Sequence, residues 1–278
     1  MKILCIIKTT QYEQYKKNWK NIPSDRQQYL LQEYERHSQF VKHLKRRLDE
    51  LKFDVTYTRQ CTALSGYDVI ITCGGDGTFL KAAHHSRNNL LLGLNSNYHH
   101  NPKQGSIGAL TSINSTNLNK NLLRLKEGKF KITEIKRLSA KINGKKINHL
   151  ALNDIFIGNK KTYKSSDLIV GCGQNIERFS CSGIIIATST GSTAWYRNAG
   201  GNAFNKNRFG FIVREPNFYR KPAFKQGTLP ENKELFIRVN NDSNVISFDS
   251  QDKVKTIQPM DEIKISIDNQ KPLKIITF

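Results

Sequence analysis

The sequence predicts an α/β domain followed by a β-rich domain, and two patterns support this prediction. As far as about residue 110, short apolar runs alternate with segments of helical periodicity, as in a parallel sheet with crossover helices. Beyond that point most segments alternate polar and apolar residues between turns, as antiparallel strands do. We therefore expect two domains, spanning residues 1–114 and 115–278.

The elements of the first domain follow from apolar runs and their spacing. Leu30, Phe40, Leu44 and Leu48 recur at helical intervals, which predicts a long helix over residues 25–52. A second helix is expected over residues 78–85. Apolar runs predict buried strands at residues 2–8, 54–58, 68–72 and 90–94.

The second domain is expected to begin with a helix at residues 118–126 and to continue mainly as strands. The pair Asn143-Gly144, between two alternating runs, predicts a tight hairpin turn. The alternating runs predict strands at residues 129–134, 138–142, 153–157, 167–170, 183–187, 234–239, 244–248 and 262–267.

Composition narrows the function classes. No apolar stretch approaches the roughly 20 residues of a membrane-spanning helix, and the run at residues 3–7 reads as a buried strand rather than a signal peptide. The five cysteines form no CxxC pair, so we expect reduced thiols, a cytoplasmic location and no metal site.

The net charge of +21 allows two interpretations. One is a polyanionic partner such as nucleic acid, and the other is a basic surface that faces small anionic substrates. The 44 lysines and arginines are scattered along the chain, and no nucleic-acid module is recognisable. We therefore favour small-molecule substrates and expect neither a specific nucleic-acid partner nor a membrane.

The first chemical motif is GGDGT, which follows an apolar strand and precedes a helix. Gly74, Gly75 and Gly77 let the main chain approach a ligand, and amides near a helix N-terminus, beside Thr78, can cradle phosphate oxygens. A carboxylate here, Asp76, would repel phosphate unless it accepted a hydroxyl proton or held Mg²⁺. The alternative is a tight turn with Asp76 as the helix cap. The motif resembles the loops of several ATP-dependent kinases, which indicates phosphoryl transfer without choosing the acceptor.

Two further motifs point to the acceptor. TSTGSTAW follows an apolar strand and combines several hydroxyls, the small Ala194 and the flat Trp195, which suits a nucleoside better than a lipid. Asn153 and Asp154 begin another apolar run and can contact an adenine edge and ribose hydroxyls. Taken alone, each motif also fits a simple turn, the first with a core tryptophan.

Together these segments resemble the NAD kinase family. The stretches that carry the resemblance, in the order and spacing of the family, are GGDGTFLKAA, LGLN, GSIGALT, KRLSAKING, ALNDIFI and ATSTGSTAWYRNAGG. The resemblance covers roughly residues 68–270 and implies transfer of the γ-phosphoryl group of ATP, as Mg²⁺·ATP, to the 2′-hydroxyl of the adenosine ribose of NAD. It further implies an N-terminal α/β Rossmann-like nucleotide-binding domain and a β-sandwich domain with the active site between them. A last strand able to pack back on the first domain and a homodimer or homotetramer are also implied.

The resemblance also implies roles for individual residues. Asp76 would be the general base or a positioning carboxylate, and Gly74, Gly75, Gly77 and Thr78 would line the ATP phosphate site. The residues expected to bind NAD are Asn95, Asn153, Asp154, Ser182, Thr188, Thr190, Ser192, Thr193, Ala194, Trp195 and Asn198.

Several positions depart from the usual family pattern. Ser182 stands where Asp is usual, Trp195 where Tyr is frequent, and the segment 214–216 where many bacterial members have Pro-Ile-x-Pro-His; these features are closer to the mitochondrial-type branch. Asp154 replaces a more frequent Glu. The choice between NAD and NADH stays open, as does the choice between ATP and another phosphoryl donor such as polyphosphate. Two other functions also stay open. One is a lipid or polyol kinase, against which the hydroxyl-rich turn argues. The other is a non-catalytic dinucleotide sensor, against which Asp76 argues.

Overall fold

The computed structural model describes residues 1–61, 64–101, 105–205, 207–251 and 254–278. The chain divides into two compact units. Unit 1 comprises Met1–Glu134 together with Leu273–Phe278, and unit 2 comprises Ile135–Pro272. The functional boundary between residues 114 and 115 stays a prediction.

Unit 1 is built on a parallel sheet. Its elements are β1 (Lys2–Ile7), α1 (Gln11–Tyr15), α2 (Ser24–Glu50), β2 (Asp54–Thr58), β3 (Val69–Gly74), α3 (Asp76–His85), β4 (Leu90–Asn95), α4 (Leu118–Lys126) and the end of the last strand, β16 (Glu262–Thr277). The strand order is β2-β1-β3-β4, and Lys274 and Ile275 of β16 then pair with β4 in parallel. This order places the carboxyl ends of β1, β2 and β3 along one edge, where open α/β sheets bind ligands.

The long helix α2 covers this sheet with the stripe that the sequence predicted. Phe40, Leu44 and Leu48 are buried and pack with residues of β1, β3 and β4 in one core cluster. The segment at residues 9–24 also contains structure that periodicity did not reveal, because α1 and the 3₁₀ turn after it bury no side chain. No helix within the described ranges is long and apolar enough to cross a membrane.

Unit 2 is a pair of sheets. Its elements are β5 (Lys131–Ile142, which begins in unit 1), β6 (Lys145–Ala151), β7 (Asp154–Asn159), β8 (Ser166–Cys172), β9 (Asn175–Cys181), β10 (Gly183–Thr188), α5 (Trp195–Asn198), β11 (Arg208–Arg214), β12 (Gln226–Pro230), β13 (Leu235–Val239), β14 (Asn244–Phe248), β15 (Lys255–Ile257) and the first part of β16. One sheet is antiparallel, with the order β12-β11-β10-β7-β14-β15. In the other, β16, β13, β8 and β9 are neighbours, and β5 pairs with β16 and β6.

A single core cluster joins the two sheets of unit 2. It combines Val170 and Ile237 from one sheet with Ile184 and Phe209 from the other. The predicted fold class, an α/β domain with a β-rich domain, is therefore confirmed.

Some element boundaries differ from the prediction. The runs at 129–134 and 138–142 form one continuous strand, β5, which pairs with both β16 and β6 and carries a bulge between Ser139 and Lys141. Strand β6 is the second strand of the predicted hairpin, whereas β9, β11, β12 and β15 were not predicted individually, and β9 is exposed over much of its length. The hairpin turn at Asn143-Gly144 is confirmed, with positive φ values of 48° and 77°.

Candidate functional site

The GGDGT loop lies at the carboxyl end of β3, where the sequence predicted it. Gly75 caps α3, and Asp76 is the first residue of the helix rather than its cap. A Cβ at Gly74 would lie 2.4 Å from the Thr78 hydroxyl oxygen and 3.0 Å from the Cβ atoms of Thr78 and Lys8, so a larger residue there would require these neighbours to shift. A Cβ at Gly77 would meet no atom within 4 Å, so this side of the loop is open to a ligand.

Two backbone amides orient the carboxylate of Asp76. Oδ1 accepts a hydrogen bond from the Leu110 N–H at 2.8 Å, and Oδ2 accepts one from the Ala109 N–H at 3.0 Å. Each carboxylate oxygen keeps a further lone pair for a ligand hydroxyl. Because the side chain is held at both oxygens, it can accept a proton without first rearranging.

Asn95 supports the segment that supplies these amides. It is buried beside Gly74 in the β3–β4 register. Its Nδ2 donates to the Ser106 carbonyl at 2.8 Å, and its Oδ1 accepts from the Asn97 N–H at 3.1 Å. Both ends of the Asn95 amide are thus bonded to the protein, so Asn95 supports the segment that holds Asp76.

A second support of the loop comes from α2. The His37 Nδ1 lies 2.7 Å from the Ser96 hydroxyl, which donates to the Gly74 carbonyl at 3.1 Å. Burial, followed by the charge of Lys8, lowers the pKa of His37 to about 4. The imidazole is therefore neutral at neutral pH and can hold this hydrogen bond without adding charge beside the loop.

The loop faces a cavity of about 500 Å³ with a basic wall. The cations that line it are Lys8, Arg59 and Lys81. Lys8 is paired with Glu33, and Arg59 with Glu13 at 2.8 Å. Sequence reasoning missed these cations, since they come from three separate segments and only the folded chain brings them to the loop.

In unit 2, Asp249 organises the Asn153-Asp154 pair. Its carboxylate accepts hydrogen bonds from the N–H groups of Leu152, Asn153 and Asp154 at 2.8, 2.7 and 3.1 Å. Burial and then repulsion from Asp249 raise the pKa of Asp154 to about 7, and burial also raises the pKa of Asp249. The Asp154 Oδ1 is buried and finds no hydrogen-bond partner among the described residues.

The hydroxyl-rich turn follows β10 and contacts the segment that contains Asn153 and Asp154. The Thr188 hydroxyl donates to the Leu152 carbonyl at 2.6 Å and accepts from the Gly191 N–H at 3.0 Å. A Cβ at Gly191 would lie 2.0 Å from the Asn153 carbonyl oxygen, so only glycine fits. The predicted residues Asn153 and Thr188 are therefore brought together by backbone contact.

The hydroxyls of this turn divide into two groups. Ser192 is buried and donates to the Ser189 carbonyl at 2.7 Å, which makes it, like Thr188, part of the internal structure of the turn. Thr190 is half-buried and Thr193 is exposed. Beyond the turn, Ala194 is half-buried and Asn198 is exposed at the end of α5.

Several residues at which the sequence departs from the family pattern lie close together in the structure. The Trp195 ring packs against Phe156 at 5.2 Å between centroids, and the Arg214 guanidinium lies 5.6 Å from the Trp195 ring centre. A hydrogen bond from the Ser182 hydroxyl, and then Arg214, lower the pKa of Glu215. Ser182 and Thr188 lie at opposite ends of β10, so the predicted NAD residues of unit 2 form an extended row rather than one cluster.

Comparison with known proteins gives concordant results. The family model of the ATP-NAD kinase C-terminal domain matches residues 152–278. A "Probable NADH kinase" of Oryza sativa is 27% identical over 223 residues, 72% of this chain and 68% of that protein. The NAD kinase of Tropheryma whipplei strain Twist is 33% identical over 207 residues, 69% of this chain and 64% of that protein. The NAD kinase of Chlorobium limicola is 34% identical over 150 residues, 52% of this chain and 49% of that protein.

The aligned segments thus span about half to two thirds of these relatives' own lengths. Among solved structures, an NAD kinase from Archaeoglobus fulgidus in complex with ATP has the same fold, with a TM-score of 0.72 at 22% identity, over 99% of this chain and 93% of that chain. The family model, the sequence relatives and the fold agree: residues 152–278 match the ATP-NAD kinase C-terminal domain, and the chain as a whole is similar to NAD kinases.

Proposed function

We propose that the protein is an ATP-dependent NAD kinase that transfers the γ-phosphoryl group of ATP to the 2′-hydroxyl of the adenosine ribose of NAD, forming NADP. The observation that carries the proposal is the Asp76 carboxylate, held by two amides within an open glycine loop at the carboxyl end of β3. A carboxylate among amides that bind phosphate would repel the phosphate unless the carboxylate takes part in the transfer.

In this proposal the loop of unit 1 holds the donor. The amides at the start of α3 and the cations Lys8 and Lys81 would bind phosphate oxygens of ATP. Gly74, Gly75 and Gly77 allow the close approach, with the Thr78 hydroxyl beside them. Mg²⁺ would arrive as part of the substrate Mg²⁺·ATP, coordinated by its phosphates.

Asp76 would be the general base. As the ribose 2′-oxygen bonds to the γ-phosphorus and the bond to the β,γ-bridging oxygen breaks, the hydroxyl proton passes to the Asp76 carboxylate and ADP leaves. Positioning and stabilisation of charge supply most of the rate enhancement in such reactions. The amides of Ala109 and Leu110 contribute by fixing the base in advance.

NAD would bind along the predicted row of unit 2. Asn153 and Asp154 begin that row, and the buried Asp154 carboxyl with its unpartnered Oδ1 favours a ligand hydroxyl as its missing hydrogen-bond partner. The other residues that we assign to NAD are Asn95, Ser182, Thr188, Thr190, Ser192, Thr193, Ala194, Trp195 and Asn198. Among these, Asn95, Thr188 and Ser192 would shape the site through their bonds to the backbone.

We also propose a homodimer or homotetramer in the cytoplasm. The free state of all five cysteines, each within the described ranges, supports a reducing compartment. Exposed apolar side chains at Ile176, Phe218 and Tyr219 support self-association. Light scattering after gel filtration gives the mass; a monomer at micromolar concentration would contradict the assembly.

The test of the reaction is a coupled assay. The protein is incubated with Mg²⁺·ATP and either NAD or NADH, and the NADP or NADPH formed is measured with an NADP-specific enzyme. We expect turnover by the parent and a loss of about 10²–10⁴-fold in Asp76→Asn, the usual effect of removing a general base. Asp25→Asn, an exposed aspartate of α2, serves as the control and should keep full activity.

The two arms separate the possible failures. If product forms from NADH alone, the acceptor is NADH rather than NAD. If neither dinucleotide yields product, the proposed reaction is refuted. Full activity of Asp76→Asn, with an unchanged melting temperature, would refute the assignment of the base while leaving the reaction in place.

A further inference from the structure

The antiparallel sheet of unit 2 carries an aromatic pair with an arginine beside it, on the face opposite the core between the two sheets. We propose that this cluster, formed by Phe156, Trp195 and Arg214, receives the nicotinamide ring of the dinucleotide, and that Arg214 makes NADH a better acceptor than NAD. This inference rests on the proposed function and deepens it, because it concerns the acceptor site of the same reaction.

Two glycines make room for the ring of Phe156. Ile157 points into the core between the sheets, so its neighbour Phe156 points to the opposite face. A Cβ at Gly158 would lie 2.5 Å from the Phe156 Cζ, and a Cβ at Gly183 would lie 2.6 Å from its Cε2. The ring therefore lies against the backbone and gives a fixed support to Trp195, whose ring centroid is 5.2 Å away.

Arg214 lies at the end of the proposed NAD row that is remote from Asn153. It pairs with Gly183 in the β10–β11 register, at the opposite end of β10 from Thr188. The six residues of β10 extend over about 17 Å, which suits an extended dinucleotide. With the adenine edge at the Asn153 amide, the nicotinamide ring at the other end of the dinucleotide reaches the cluster.

NAD and NADH differ in the charge of this ring alone. The pyridinium ring of NAD is a cation and the dihydropyridine ring of NADH is neutral, whereas the pyrophosphate is common to both. An aromatic pair by itself attracts a cation through its π electrons and would favour NAD. Here the Arg214 guanidinium already lies 5.6 Å from the centre of the Trp195 ring. A second cation at the cluster would be repelled by Arg214, so the neutral ring is favoured.

Glu215 reduces this repulsion without cancelling it. The Arg214 Nη2 donates to the Glu215 Oε1 at 3.1 Å, and the Ser182 hydroxyl also donates to this carboxylate. The Glu215 side chain is 63% exposed and that of Arg214 only 28%, so water and salt screen the carboxylate more strongly. At an effective dielectric constant of about 20, an uncompensated like charge about 8 Å away changes a binding ratio more than tenfold; with Glu215 present we expect about three- to tenfold.

The test removes the two charges of opposite sign one at a time. The ratio of kcat/KM for NADH to kcat/KM for NAD is measured with Mg²⁺·ATP, and the parent should prefer NADH. We expect Arg214→Gln to lower this ratio about three- to tenfold and Glu215→Gln to raise it about twofold, because loss of either charge has the opposite effect on a cationic ring. The control is Arg208→Gln, an exposed arginine of the same strand that is bonded to Thr228, and it should leave the ratio unchanged.

Three outcomes would overturn the inference. A parent that uses NAD better than NADH would contradict the preference itself. An unchanged ratio in Arg214→Gln would place the nicotinamide ring away from this arginine. If Arg214→Gln and Glu215→Gln move the ratio in the same direction, the cluster acts through its shape rather than through its charge.

A binding measurement separates this inference from the proposed function, because binding needs no phosphoryl transfer. The Kd values of NAD and NADH are measured by calorimetry without ATP, for the parent and the same three variants. If the ratio of the Kd values depends on Arg214 while neither NADP nor NADPH is ever formed, the proposed reaction fails and the nicotinamide site stands. If both products form and neither ratio depends on Arg214, the proposed function stands and this inference fails.

Discussion

The glycine loop after β3 and the hydroxyl-rich turn after β10 are built alike and differ in what they leave open. Each follows a strand of six buried residues, and each contains a glycine where a larger residue would require neighbouring atoms to shift. In the loop, Gly77 faces open space, whereas in the turn Gly191 is pressed against the Asn153 carbonyl. The loop therefore presents its polar groups to a ligand, while the turn uses several of its own hydroxyls to hold its shape.

The largest effect on stability is expected at the glycine of the turn. Gly191→Ala places a methyl group 2.0 Å from a backbone oxygen of Asn153, which side-chain rotation cannot relieve. Overpacking costs about 1–3 kcal/mol or more, so we expect at least that loss in urea unfolding. An unchanged midpoint of urea unfolding would mean that the backbone of the turn can shift without loss of stability. The difference drawn between the packed Gly191 and the open Gly77 would then be wrong.

The hydroxyls of the turn should separate by role. Thr188→Val leaves the Leu152 carbonyl and the Gly191 N–H without their buried partner, at a cost of about 1–3 kcal/mol. Thr193→Val alters an exposed side chain and should change stability by less than about 0.5 kcal/mol. Thermal unfolding checks both, and equal effects would contradict the division between internal and accessible hydroxyls.

The pH dependence of stability should reveal the carboxyl pair beside the turn. The folded-state pKa of Asp154 is raised to about 7, so its favourable contribution is present below about pH 4 and is lost as pH rises through about 7. Asp154→Asn removes this loss. We therefore expect the free energy of unfolding of the variant, relative to that of the parent, to be about 1.4 kcal/mol or more higher at pH 8 than at pH 4. The exposed Asp242→Asn should show no such difference. A pH-independent effect of Asp154→Asn would contradict the raised pKa.

Only a small change in stability is expected at the open glycine of the loop. Gly77→Ala adds a methyl group that meets no atom within 4 Å and lies in the first turn of α3, so stability should stay constant or rise by about 0.5–1 kcal/mol. Activity with ATP should nevertheless fall, since the methyl group occupies the side on which we propose the phosphates bind. Unfolding and kinetic measurements on the same preparation test both parts, and unimpaired kinetics would move the phosphates away from Gly77.

The sequence predicted features that depend on local patterns and missed those that depend on distant partners. The stripe of α2, the strand before GGDGT and the hairpin at Asn143-Gly144 each have a periodicity or a turn signal of their own. The support of Asp76 by Ala109 and Leu110 spans more than thirty residues and uses backbone amides, which leave no mark in the residue types.

Asp249 illustrates the same limit in unit 2. No motif of the sequence analysis includes this aspartate, yet it binds three successive amides about 95 residues earlier in the chain. Conversely, the sequence pattern predicted the same binding role for Thr188, Thr190, Ser192 and Thr193. Which of them the protein uses internally depends on the approach of Leu152, and pattern alone does not report that distance.

The return of the last strand has a consequence for the order of events at the ribosome. Leu273 and Ile276 are buried, and Ile276 belongs to the same core cluster as β1 and β3, while the Ser112 hydroxyl donates to its carbonyl. The sheet of unit 1, which includes β1 far upstream of β16, cannot be completed until residue 276 has left the exit tunnel. The glycine loop and its basic cavity thus belong to a unit that reaches its final form only after unit 2 has been synthesised, and growing chains arrested before that point should lack a fully protected unit 1 core.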